Sequence, residues 1–232
     1  MGIVTSQSFK NTITTYLGFG IGALNTLFLY TYFISDQYYG LVAFILSSAN
    51  IMMPLMAFGV HNTIIKFYST FKTKNSLNSF LTLMLFLPLL LIIPIGLVGS
   101  ISYEAIGRLL SQKNPIVMGY VWYIYVAAIA MAYFEVFFAW SKTQMLTVFG
   151  NLMKEVFHRV GVMLLLFTVY LQWIDVEQFI IGVIVVYIVR MFIMMLYAFS
   201  VRLPVFKFNK LENINSILKY SSLIIIAGSI AT

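Results

Sequence analysis

Long apolar blocks separated by short polar segments set the pattern of this chain. About 20 apolar residues cross a bilayer core as an α-helix. Such a helix satisfies its own backbone hydrogen bonds, which lets it sit in lipid. The blocks predict spans at residues 13–34, 41–65, 80–101, 116–140, 156–173 and 179–201, and a seventh opening near Tyr220. His158 and Arg159 are expected at the start of the fifth span. The ~10-residue alternating segments of a membrane barrel are absent from the sequence. The expected fold class is therefore all-α, a polytopic transmembrane helix bundle.

Composition agrees with this pattern. Of the 232 residues 61% are apolar and only 9% charged, against about 25% charged in a soluble domain. The sequence has no cysteine, which excludes disulfides and thiolate chemistry. No small-residue cleavage site follows the first apolar block, so that block is expected to be a retained span.

The charges alternate between loops. The N-terminus and the segments after spans two, four and six hold Lys10, Lys66, Lys72, Lys74, Lys142, Lys154, Arg159, Arg202, Lys207, Lys210 and Lys219, eleven of the fourteen basic residues. The other loops hold Arg108 and Lys113 with Asp36, Glu104, Asp175 and Glu177. Cytoplasmic loops accumulate Lys and Arg, so the first group, N-terminus included, is expected in the cytoplasm. The net charge of +7 is thus read as topology, with no nucleic-acid partner. The expected organisation is a six-helix lobe at 1–201, a cytoplasmic linker at 202–219, and the start of a second lobe at 220–232. Thirteen residues are too few to cross, which points to a longer protein. Asn11-Thr12-Ile13-Thr14-Thr15-Tyr16 before the first span is echoed by Asn215-Ser216-Ile217-Leu218-Lys219-Tyr220 before the seventh, as in parallel-repeat transporters.

Ionisable residues at membrane depth are costly and mark pathways. The candidates are Arg190, near the middle of the sixth span, Glu135 in the cytoplasmic half of the fourth, and His61 near the end of the second. Arg190 has two readings: a cavity cation for an anionic substrate group, since its fork suits phosphate, or a buried pair with Glu135 that fixes packing. Ser47, Asn50 and His61 form a polar stripe on the second span, read as cavity wall or as interhelical hydrogen bonding. Pro54 and Gly59 are its hinge candidates. Gly18 and Gly22 suit close helix packing, and Asn25 nearby is a further cavity candidate. Pro88 and Pro94 predict a kinked third span. Tyr187, Arg190 and Tyr197 share one face of the sixth span, expected to point inward. Residues 102–114 are expected to form a short external surface helix or loop.

Catalytic signatures are missing. The two aspartates lie in different loops, the two histidines have no metal-ligand spacing, and there is no phosphate-binding Gly-x-x-x-x-Gly-Lys loop. No metal, no cofactor and no enzymatic activity are expected.

Tyr39-Gly40-Leu41, leading through Phe58-Gly59 to Ile65-Lys66-Phe67-Tyr68, resembles the start of the polysaccharide flippase family, the Wzx-type O-antigen and exopolysaccharide transporters. Ile217-Leu218-Lys219-Tyr220 is similar to that family's opening of its second half. The resemblance implies a member of the multidrug/oligosaccharidyl-lipid/polysaccharide exporter superfamily in the bacterial cytoplasmic (inner) membrane. It implies alternating access, flipping of a polyprenyl-pyrophosphate-linked oligosaccharide for lipopolysaccharide or exopolysaccharide biosynthesis, and a cavity cation, here Arg190, for the pyrophosphate. The implied partners are the lipid-linked oligosaccharide, membrane lipids, and a polysaccharide polymerase with other export components. Competing readings are a cation-coupled drug or small-molecule antiporter of the same superfamily, a membrane-bound glycan-assembly enzyme, and a membrane scaffold.

Overall fold

The computed structural model describes residues 2–211 and 213–231, with side chains for all of these except 3, 4 and 228–231. All regular structure among them is helical. Among the described residues, five helices are long and apolar enough to cross a membrane: Thr5–Phe33, Asp36–Met56, Lys74–Ile101, Pro115–Lys142 and Val176–Val201. The chain is a polytopic membrane protein.

Several spans are longer than their apolar blocks. The first is helical from Ile3 and passes through a π-helical turn at Asn25–Leu29 before ending at Phe33. The third starts at Lys74 and breaks at Pro88, between Lys74–Phe86 and Leu89–Ile101; Pro94 sits inside the second segment. Proline lacks the N–H that would continue the ladder and its ring crowds the preceding turn. The surface helix expected after the third span is Tyr103–Leu110.

The second span runs as Asp36–Met56, turns at Ala57–Gly59, and resumes as Val60–Phe67. The break falls after Pro54, which stays inside the helix. Phe58 and Gly59 have positive φ, 50° and 62°. A Cβ on Gly59 would lie 2.5 Å from the carbonyl oxygen of Ser221, so both backbone angle and close approach require glycine there.

The expected fifth span departs most from expectation: its helix is not one of the five that are long and apolar enough to cross a membrane. It is helical from Val148 through a π turn at Met153–Phe157 to Tyr170. His158 and Arg159 therefore lie well inside it rather than at its start. The seventh helix begins at Ile214, six residues before the expected boundary. It packs on the second span through a buried Thr63–Ser221 hydroxyl pair at 2.7 Å and the Lys66 ammonium over the Tyr220 ring at 3.6 Å. Thr232, where the expected segment ends, and Glu212 in the linker lie outside the described residues.

The fourth span is the hub. It packs against the second and sixth and is buried along most of its length from Ile124 to Ser141. Ala127, Ala128, Ala130, Ala132 and Ala139 let those neighbours approach closely. The outer faces carry exposed Phe9, Leu17, Leu27, Leu90, Ile93, Leu97 and Leu196, the reverse of a soluble surface and suited to hydrocarbon.

Loop contacts gather at two ends. At one, Asn114 donates to the Gln37 carbonyl and Tyr30 packs on Tyr39 and Phe179. At the other, Tyr68 accepts from Gln144 and Arg202, Arg202 also donates to Asn78, and Gln7 donates to the Met145 carbonyl. These are the two loop sets that the charge alternation separates. The second is the basic end.

Candidate functional site

A cavity of about 370 Å³ lies between the second, fourth, fifth and sixth spans, lined by polar and charged side chains. It sits where two apolar clusters meet. Met131 and Tyr187 belong to one and Phe134 and Met194 to the other.

The second span contributes Ser47 and Asn50. Pro54 has no N–H to give the carbonyl of Asn50, so the helix locally loses a hydrogen bond beside the cavity. The fourth span contributes Glu135, whose Oε1 accepts from Lys154 Nζ at 2.6 Å. The fifth contributes Lys154, Glu155, His158 and Arg159. These fall at i, i+1, i+4 and i+5, one face of a helix. Arg159 pairs with Glu155 at 3.2 Å. The fifth span can come close enough to present this face because the first carries no side chain at Gly18 and Gly22: a Cβ on Gly18 would meet the Glu155 carbonyl and Arg159 Nη1, and one on Gly22 would stand 3.1 Å from Arg159 Nε.

Arg190 enters from the sixth span and is 6% exposed. Its guanidinium lies 4.3 Å from the Phe134 ring centre and 4.7 Å from that of Tyr187, contacts of cation–π type. Nη1 donates to His158 Nδ1 at 3.4 Å. Arginine has no acceptor, so the imidazole presents its lone pair on Nδ1. Nε is buried with no hydrogen-bond partner, and among the described residues Arg190 makes no ion pair. The Arg190–Glu135 pairing weighed as a packing device is not formed: Glu135 is taken by Lys154. The cavity holds three fixed cations against two carboxylates, and the surplus cation is Arg190. Such a site can receive a small anionic group at membrane depth.

Of the five candidate cavity residues, Arg190, Glu135 and Asn50 line this cavity. Asn25 and His61 do not. Asn25 is buried in the π turn and donates to the Arg159 carbonyl at 2.8 Å, holding the first span against the fifth. His61 stands in the short helix beyond the Gly59 turn and is not among the residues that line the cavity. Tyr187 faces inward at 6% exposure, whereas Tyr197 is half-buried and packs on Phe149. Lys154, Glu155, His158 and Arg159 are cavity residues that the loop reading missed. Among the described residues, no cluster of three or more His, Asp and Glu side chains is placed to hold a metal ion.

No family model matches the chain, and neither a curated protein nor a solved structure matches it.

Proposed function

We propose that this chain receives the substrate in a transporter that flips a polyprenyl-pyrophosphate-linked oligosaccharide from the cytoplasmic to the external leaflet by alternating access. On this reading it serves surface polysaccharide biosynthesis in a bacterial cytoplasmic membrane, alongside a polysaccharide polymerase and other export components. The observation that carries the reading is Arg190: a guanidinium buried at mid-span, beside a polar cavity, with no carboxylate of its own. Burying a charge without a partner is costly, and a phosphate-bearing substrate supplies that partner bidentately. Lys154 and Arg159 extend the positive wall. The resemblance around residues 39–68 and 215–232 points the same way.

The test is a strain lacking the gene, assayed for surface polysaccharide and for its lipid-linked precursors. Loss of polymer with precursors held in the cytoplasmic leaflet, restored by the wild-type gene and not by Arg190→Ala, is the expected outcome. Unchanged polymer and precursors in a strain without a second copy would end this reading. A second reading, a cation-coupled antiporter, draws on Glu155 joining Glu135 in the cavity, since carboxylates within spans hold coupling ions. Drug efflux that depends on a sodium or proton gradient and fails in Glu135→Gln would favour it.

A further inference from the structure

At the basic end, a polar pocket and an apolar groove adjoin. The pocket, about 290 Å³, lies between the segment after the second span and the linker that follows the sixth; Lys72, Thr73, Ser76, Lys210 and Asn213 line it. The groove, about 450 Å³, runs along the third span beneath that linker and is lined by Leu83, Phe86, Phe208 and Ile214. Lys210 and Leu211 belong to both, so the two adjoin as a cationic head beside an apolar body.

Two features give the head an affinity for phosphate. Lys72 and Lys210 supply charge. The helix Ile214–Ala231 begins at its rim, and helix N-termini favour anions. The Thr73 and Ser76 hydroxyls pair with each other at 2.7 Å, and Thr73 caps the Ser76 N–H. Glu212, the neighbour in sequence, lies outside the described residues. The body is apolar because its polar groups are already paired. The Ser79 hydroxyl accepts from the Asn209 N–H at 3.2 Å, and the Thr82 hydroxyl from the Lys207 N–H at 3.1 Å. Phe208 is 82% exposed beside Lys207, an aromatic and cationic pairing suited to the bilayer interface.

We infer that the two together form a binding site for an anionic phospholipid of the surrounding membrane, phosphate in the pocket and acyl chain in the groove. A bound lipid would tie the linker to the third span. The inference needs only that the chain spans a membrane and stands apart from the transport reading.

The experiment is native mass spectrometry of the full protein with long-chain phosphatidylglycerol and, as comparison, phosphatidylcholine of the same chains. The expected result is preferential phosphatidylglycerol binding, weakened roughly fivefold by Lys72→Gln or Lys210→Gln and about thirtyfold by both, since each lysine near a membrane surface contributes about one step of that size. Lys10→Gln with Lys113→Gln removes equal charge elsewhere and should change little. Phosphatidylglycerol with six-carbon chains should bind more weakly than the long-chain lipid. Equal binding of the two headgroups, equal loss in the control pair, or displacement by millimolar inorganic phosphate would each overturn the inference. So would short-chain lipid binding as tightly as long-chain, because the groove would then have no role.

Discussion

Replacing Gly18 by alanine tests whether the first and fifth spans set the cavity by their closeness. A methyl group on Gly18 would meet the Glu155 carbonyl oxygen and stand 2.6 Å from Arg159 Nη1. Ordinary contact begins at 3.4 Å. The carbonyl is backbone, so the two helices must separate by roughly an ångström, while the arginine end can swing aside. Overpacking of this kind costs about 1–3 kcal/mol. Alanine returns about 0.5–1 kcal/mol through its better helix propensity. The net is a loss of about 1–2 kcal/mol. Gly20 is the internal control: on the same helix, nothing stands within 4 Å of its Cβ position. Gly20→Ala should therefore stabilise by about 0.5–1 kcal/mol. The two variants thus differ by about 2 kcal/mol, near thirtyfold in the unfolding equilibrium, read by reversible unfolding in mixed micelles. The same separation would draw Glu155 and Arg159 back from the cavity, so the proposed transport should fall in Gly18→Ala and hold in Gly20→Ala. A Gly18→Ala protein as stable as Gly20→Ala would refute the seam.

Arg190→Lys keeps the charge but loses the planar fork and its stacking on Phe134 and Tyr187, so the proposed transport should drop about tenfold with folding intact; an undiminished rate would show that a point charge suffices. Glu135→Gln should destabilise by about 1 kcal/mol rather than the 3–5 kcal/mol of a fully buried pair, because the Lys154 side chain is 44% exposed; a double-mutant cycle with Lys154→Met measures the coupling. Thr63→Ala should cost about 1–2 kcal/mol by stranding the buried Ser221 hydroxyl, and an unfolding midpoint unchanged in micelles would exclude that docking contact. Because the chain has no cysteine, Lys113→Cys should react with an impermeant thiol reagent added outside intact cells and Lys72→Cys should not; the reverse labelling would invert the assigned topology.

The sequence determined most of the architecture. Its apolar blocks fixed where helices must cross, because unpaired backbone is intolerable in lipid. Its charge alternation sorted the loops into the two sets that meet at opposite ends. Arg190 and Glu135 stood out because charge inside an apolar block is rare and expensive. Asn50 lay on a visible polar stripe, and Gly18 and Gly22 on a visible small-residue seam. Hydropathy failed where one face of a helix is charged. Lys154, Glu155, His158 and Arg159 lowered the average and shortened the fifth span on paper, although their spacing marks a helix face and apolar residues such as Val156, Val160 and Val162 continue around it. Only tertiary structure decided the partners. Which cation takes Glu135 depends on how the fourth and fifth spans are rotated and set in depth, and that rotation follows from glycine and alanine contacts that no single helix encodes. The same is true of His61 and Asn25. His61 falls beyond the left-handed turn at Phe58–Gly59 and outside the cavity lining, and close packing of the first span commits Asn25 to the Arg159 carbonyl. Pattern along a chain fixes depth and face; packing between chain segments decides which faces meet.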